Sequence, residues 1–177
     1  MAILEIMKYP APVLKEVSEA VDGVDDETRQ LMEDMLETMY DAPGVGLAAP
    51  QVGVNKRIIV IDIRSEENNE VIMLANPVIL ESDGKFTYEE GCLSLPEFTV
   101  EVERKKEVTV KGLNVEGQEV VINAEDFLAV AFQHEIDHLN GILLVDKVSR
   151  LKRDIYRRKV KKGLKETRKV KSERENI

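Results

Sequence analysis

Apolar residues recur at three- and four-residue spacing in two stretches of the chain, and between these they alternate with polar residues in shorter runs. In the first stretch Leu31, Met32, Met35, Leu36 and Met39 share one face of a helix predicted over about 27–40, which has acidic residues in its first turn and Asp41-Ala-Pro-Gly44 to end it. From Arg57 the pattern changes to β-branched runs over 58–63, 71–80 (broken at Asn76-Pro77) and 98–103, which predict strands. Val108, Val110, Leu113, Val115, Val120 and Ile122 then alternate with polar residues around Lys111-Gly112 and Glu116-Gly117, as antiparallel hairpins with one solvated face do. A second helix starts at Asn123, an N-cap residue with Asp126 three positions on, and continues to Leu139, where Asn140-Gly141 supplies the stop. The strands precede this helix as a block instead of alternating with helices, so the predicted fold class is α+β, with antiparallel strands and hairpins packed around a central helix. In the tail Val148, Leu151, Ile155, Val160 and Leu164 are spaced among lysines and arginines, which predicts a basic amphipathic C-terminal helix.

A length of 177 residues suits one compact domain, predicted as 1–150, with 151–177 as a basic helical extension. Charge divides the same way: residues 1–150 hold 13 Lys and Arg against 30 Asp and Glu, while 151–177 hold 12 against 4. The body is acidic and unsuited to DNA, whereas the tail is matched to an anionic partner or to a solvated helix face. The longest apolar runs, such as Ile58-Ile-Val-Ile61 and Phe127-Leu-Ala-Val-Ala-Phe132, fall well short of the ~18 residues a membrane span needs, so no membrane partner is expected. The first residues carry Glu5 and lack a basic region leading into an apolar one, and Cys92 is the only cysteine. A cytoplasmic, reducing location is therefore expected.

The chain has two histidines, His134 and His138, four apart on the second helix with Glu135 after the first. Helical geometry sets both imidazoles on one face, able to share a metal ion, and turns Glu135 by about 100° toward a water on that ion. The predicted central helix is thus also a metal-binding one. A third protein ligand is required. The position that would extend the motif with a further histidine is Leu144, and Asp146, Asp154 and Glu166 lie in or near the basic tail without a supporting motif. Cys92, bracketed by Gly91 and Pro96, is the remaining soft candidate; taken alone it reads equally as a small buried apolar residue. A third segment, Gly44-Val-Gly-Leu-Ala-Ala-Pro-Gln51, is not a dinucleotide fingerprint. Its small residues suit close approach of a peptide backbone, or only a tight turn after the first helix.

Gly44-Val-Gly-Leu-Ala-Ala-Pro-Gln51, Glu90-Gly-Cys-Leu-Ser-Leu-Pro96 and Gln133-His-Glu-Ile-Asp-His-Leu-Asn-Gly141 together resemble, in order and spacing, the three signature motifs of the peptide deformylase family. The resemblance implies a hydrolase of protein biosynthesis that removes the formyl group from the N-terminal formylmethionine of nascent polypeptides and releases formate. It implies Cys92, His134 and His138 as metal ligands, Glu135 as catalytic acid and base, Gln51 with the Leu93 backbone N–H as oxyanion donors, and Gly46 as a contact for the substrate backbone. It also points to Fe2+ as the ion, with Zn2+, Ni2+ or Co2+ as substitutes. Proximity to the motifs suggests Val45, Phe127, Val130 and Ala131 as a pocket for the methionine side chain. The chain departs from the family pattern at Thr99, where many members carry an arginine; the nearest arginine is Arg104. Because the family works on nascent chains, the basic tail becomes a candidate contact for the ribosome. Two alternatives stand beside this reading, a metallopeptidase acting on unformylated peptides and a non-catalytic ribosome-binding homologue with a structural metal.

Overall fold

In the computed structural model, residues 2–67 and 69–175 are described, with side chains up to 166; the end of the basic tail lies outside the described side chains. The chain divides into two compact units, Met1–Leu143 and Leu144–Ile177. In the first, helix α1 (Asp26–Asp41) is followed by β1 (Gly46–Ala48), β2 (Ile58–Ile61), β3 (Ile72–Asp83), β4 (Phe86–Cys92), β5 (Leu95–Arg104), β6 (Glu107–Leu113), β7 (Glu119–Glu125) and helix α2 (Asp126–Leu139). One antiparallel sheet has the order β1-β2-β3-β6-β7, and β4 pairs with β5 as a separate ribbon. The second unit holds a 3-10 turn at Leu144–Lys147 and helix α3 (Arg150–Glu175), on which Leu151, Ile155 and Leu164 are exposed. No described helix is long and apolar enough to cross a membrane.

The sheet lies between the two helices. Strand β2 is buried at every position because each of its faces is covered. Ile58 and Val60 pack with Met32, Met35 and Met39 of α1, while Ile59 and Ile61 pack with Leu128, Phe132, Ile136 and Leu139 of α2. This explains why 58–61 reads as a continuous apolar run without alternation. α1 starts at Asp25, whose carboxylate accepts the Thr28 N–H at 2.8 Å, and this hydrogen bond holds the Asp25 pKa below the usual carboxylate value.

Several local expectations are corrected. β3 runs through Asn76-Pro77: a register shift between Ala75 and Val78, with Asn76 at φ 51, absorbs the proline that lacks an N–H. The Asn76 side chain instead exchanges two hydrogen bonds with the Val21 backbone, at 2.9 and 2.8 Å. Lys111-Gly112 is not a turn. Gly112 lies inside β6, where a Cβ would stand 3.1 Å from the Ala75 carbonyl, so the glycine serves close strand approach. Asn123 does not cap α2; it lies in β7 and accepts a hydrogen bond from the Thr109 hydroxyl, and the helix begins three residues later. Gly117 and Gly141, at φ 78 and 71, do form the hairpin turn and the helix stop. β4 escapes the pattern because Phe-Thr-Tyr-Glu-Glu has no buried alternating face: the ribbon it forms with β5 is largely exposed.

Candidate metal centre

Two elements meet at one point. α2 carries His134 and His138 one turn apart, with Nε2 atoms 3.2 Å from each other. The end of β4 delivers Cys92, whose Sγ is 3.4 Å from His138 Nε2. All three donor atoms lie within 4.8 Å of one another, and among the described residues this is the one such group of His, Cys, Asp and Glu side chains. Donors around a tetrahedral ion with ordinary metal–nitrogen and metal–sulfur bonds stand about 3.3–3.6 Å apart, so the observed spacings fit a thiolate and two imidazoles around one metal. Asp146, Asp154 and Glu166 belong to no such group. On the neighbouring face of α2, Glu135 is buried, and its Oε2 has no hydrogen-bond partner among the described residues. Burial pushes the Glu135 pKa up to about 7.

One imidazole, that of His134, is oriented from behind, while the buried His138 Nδ1 has no hydrogen-bond partner among the described residues. His134 Nδ1 is 2.9 Å from Glu90 Oε1, which fixes Nδ1 as the protonated nitrogen and leaves Nε2 free as a donor to metal. Glu90 is held by Arg104 through two bonds of 2.8 Å, and Arg104 also bonds Asp137 at 2.6 Å. Burial alone would raise the Glu90 pKa, but hydrogen bonds from Arg104 and His134 outweigh it and keep the carboxylate below its usual value. In His134 burial opposes the charged ring, and the contacts with Cys92 and Glu90 win, setting its pKa well above the ordinary value. For His138 burial and the neighbouring His134 act together and lower it.

A cavity of about 420 Å³ opens beside this cluster. Its walls include Gly44, Val45 and Gly46 on one side, Phe127, Val130, Ala131, His134 and Glu135 of α2 on another, and Glu90 to Leu93 on a third. Gln51, buried in the 3-10 turn after β1, donates from Nε2 to Ser94 Oγ at 3.1 Å and lies 3.6 Å from Cys92 Sγ. Its Oε1 accepts the Ala48 N–H at 3.0 Å, so the orientation of the amide is fixed. The glycine-rich segment is therefore neither only a turn nor a loop. Gly46 opens β1, and a Cβ there would lie 2.5 Å from Glu135 Oε1. At Gly44 a Cβ would lie 2.8 Å from Leu93 Cδ1.

Gly46, Val45, Gln51, Cys92, Leu93, Phe127, Val130, Ala131, His134 and Glu135 all line the cavity, and His138 completes the donor cluster behind it. Sequence reasoning missed Tyr88, whose ring lies 5.0 Å from that of Phe127 at the cavity wall. It also missed Glu90 and Arg104 as the support of His134. Glu90 stood inside a motif already singled out; Arg104 was noted only as the arginine nearest to Thr99, with nothing local to tie it to His134.

A family model described as polypeptide deformylase matches residues 3–154. The peptide deformylase of Thermodesulfovibrio yellowstonii is 54% identical over 162 residues, spanning 91% of this chain and 98% of that protein. That of Phenylobacterium zucineum is 54% identical over 167 residues, 93% of this chain and 99% of the relative. Among solved structures, the peptide deformylase of Ehrlichia chaffeensis in complex with actinonin superposes with a TM-score of 0.88 at 40% identity, covering 92% of this chain and 98% of the other. The Legionella pneumophila peptide deformylase gives 0.86 at 45% identity, with 94% and 98% covered.

Proposed function

The chain belongs to the polypeptide deformylase family, and from that membership we propose that Cys92, His134 and His138 hold the metal ion with which it works. The protein is a hydrolase that removes the formyl group from the N-terminal methionine of new polypeptides. The observation that carries the assignment of residues is the convergence of one thiol and two imidazoles beside a buried carboxylate with an unpartnered oxygen.

A divalent ion in this donor set supplies Lewis acidity, which makes water a nucleophile near neutral pH and polarises the formyl carbonyl. The remaining work belongs to the chain. Glu135, with its pKa pushed up to about 7, takes a proton from the attacking water and returns it to the departing amine. Formate leaves, and the free amino group of methionine remains on the polypeptide. The Gln51 Nε2–H and the Leu93 N–H receive the charge that develops on the formyl oxygen, and the Gln51 amide is held in place before reaction, which is what makes such a donor effective. Gly46 receives the substrate backbone, and Val45, Phe127, Val130 and Ala131, joined by Tyr88, surround the methionine side chain. The proposed resident ion is Fe2+, with Zn2+, Ni2+ and Co2+ as substitutes, since a thiolate with two imidazoles accommodates each of them.

The organisation proposed is a catalytic region over 1–150 and a basic extension over 151–177, working in the cytoplasm. The extension carries 12 basic residues against 4 acidic ones and is proposed to meet the ribosome through phosphate contacts. Its deletion should weaken ribosome binding in a salt-dependent way while turnover of short formyl peptides stays intact; unchanged affinity would remove that role. Neither a metallopeptidase nor a structural-metal reading is favoured: the family match supports deformylation, and the proposed site takes Cys92 as its third donor and Glu135 as its base. The deciding assay is formate release from formyl-Met-Ala by anaerobically prepared, metal-loaded protein. Release should vanish with Glu135→Ala, and unformylated Met-Ala should stay intact; cleavage of the unformylated peptide would refute the reading.

A further inference from the structure

The cavity wall formed by Gly44, Val45 and Gly46 is tied down from outside the cavity. Arg64 Nη2 donates to the Gly44 carbonyl at 2.9 Å, and the Asp62 N–H donates to the Val45 carbonyl at 2.9 Å. Asp62 is itself fixed on both carboxylate oxygens: Oδ1 accepts the Arg64 N–H at 3.0 Å and Oδ2 accepts the Tyr40 hydroxyl at 2.5 Å. The Arg64 guanidinium lies 5.7 Å from the centroid of the Tyr40 ring. Arg64 holds a φ of 50, a left-handed backbone that residues other than glycine rarely adopt; its N–H bonds Asp62 while its side chain reaches back to the wall. Tyr40 comes from the last turn of α1, and Asp62 and Arg64 from the segment after β2, so the cluster joins the elements on either side of the wall. Tyr40, Asp62 and Arg64 do not line the cavity.

We propose that Tyr40, Asp62 and Arg64 form a clamp that sets the position of the 44–46 wall, with Arg64 as a positioning residue for substrate. The proposal rests on the reading of that wall as the surface that receives the peptide backbone. Two glycines flank Val45, so the wall has little stiffness of its own and takes its shape from what holds its carbonyls. Arg64 acts at a distance from the reacting atoms, so its loss should weaken substrate binding and leave the metal and Glu135 in place.

The test compares the metal-loaded parent with Arg64→Ala, Arg64→Lys and Tyr40→Phe. Two readouts are taken: kcat and KM for formyl-Met-Ala-Ser, and hydrogen–deuterium exchange of the peptide covering residues 43–47. Arg64→Ala should raise KM roughly three- to tenfold with kcat within about twofold of the parent, and should speed exchange in that peptide. Tyr40→Phe, which keeps the ring and loses the hydroxyl, should move both readouts the same way and less. Arg64→Lys, which can still reach the Gly44 carbonyl, should restore most of the KM. Unchanged exchange in Arg64→Ala would overturn the clamp and leave the wall's role as substrate surface standing. Faster exchange with unchanged KM would overturn Arg64 as a positioning residue for substrate, and with it the wall's role as substrate surface.

Discussion

Arg104 is the perturbation that most directly tests how the helix carrying His134 and His138 is supported. Its side chain is 4% exposed and holds Glu90, also 4% exposed, through two bonds, and Asp137 through a third. Arg104→Met fills similar space but leaves Glu90 as a buried carboxylate with only His134 beside it. Removing one member of a buried ion pair destabilises by about 3–5 kcal/mol, because the stranded charge keeps its desolvation penalty. In a chain of this size each kcal/mol moves Tm by about 2–4 °C, so the metal-free variant should melt roughly 6–20 °C below the parent. Removing the stranded charge as well, in Arg104→Met with Glu90→Gln, should recover a large part of the loss.

The effect has a defined pH dependence. Glu90 is held below the usual carboxylate range, so its contribution to stability is fully present above the unfolded value near about 4.3 and is lost as pH falls through the lower native value. Without the guanidinium, burial makes Glu90 take up a proton earlier, and the gap between parent and variant should close below about pH 4. The assay is urea unfolding of metal-free protein followed by circular dichroism at pH 4 and pH 8, with metal affinity measured in parallel. Affinity should fall about 10- to 100-fold, because Glu90, the partner that orients His134, loses the guanidinium that holds it in place. A change in stability under about 1 kcal/mol at pH 8, or a double variant less stable than the single one, would refute the reasoning.

Cys92→Ala should remove a ligand outright, so the purified variant should retain little metal by elemental analysis and release no formate; full metal content would show that the thiol is not a ligand. Gly46→Ala places a Cβ 2.5 Å from Glu135 Oε1 and must displace that carboxylate. Turnover of formyl-Met-Ala should fall by about 10²-fold or more with metal content unchanged, and wild-type turnover would mean that Glu135 is not the proton carrier. Tyr40 has its pKa pushed up to about 12 by burial and by the hydrogen bond to Asp62. A raised native value contributes stability that is present below the ordinary tyrosine value near about 10 and is lost as pH rises toward the native one. An ultraviolet titration should show one tyrosine ionising late, and Asp62→Asn should bring it part of the way back, since burial remains; an unaltered titration in that variant would reject the contact.

What could be read along the chain was chemistry set by local geometry. Four residues make about one helical turn, so His134 and His138 had to share a face wherever α2 came to lie, with Glu135 turned beside them. The helix over α1, the strand at β2 and the stops at Gly117 and Gly141 were legible for the same reason: periodicity and left-handed glycines act over a few residues. Patterns that compete locally were misread. Gly112 resembles a turn residue but is small because β3 passes close to it, and Asn123 resembles a cap but is used by a cross-strand hydroxyl.

The proposed third ligand was a different kind of question. Cys92 lies 46 residues from His138, and nothing in its own surroundings separates a metal thiolate from a buried apolar residue; the pairing of β4 with β5 is what carries its sulfur to the imidazoles. Arg104 reaches Asp137 across 33 residues, and Arg64 reaches back 20 to the Gly44 carbonyl. By itself the sequence determined which reactive groups the protein owns and which of them ride on one helix face, since helical spacing is a local property. Only the tertiary structure decided which distant groups meet them, because burial selects partners by the desolvation they relieve, and that is known only once strands from different parts of the chain have come together.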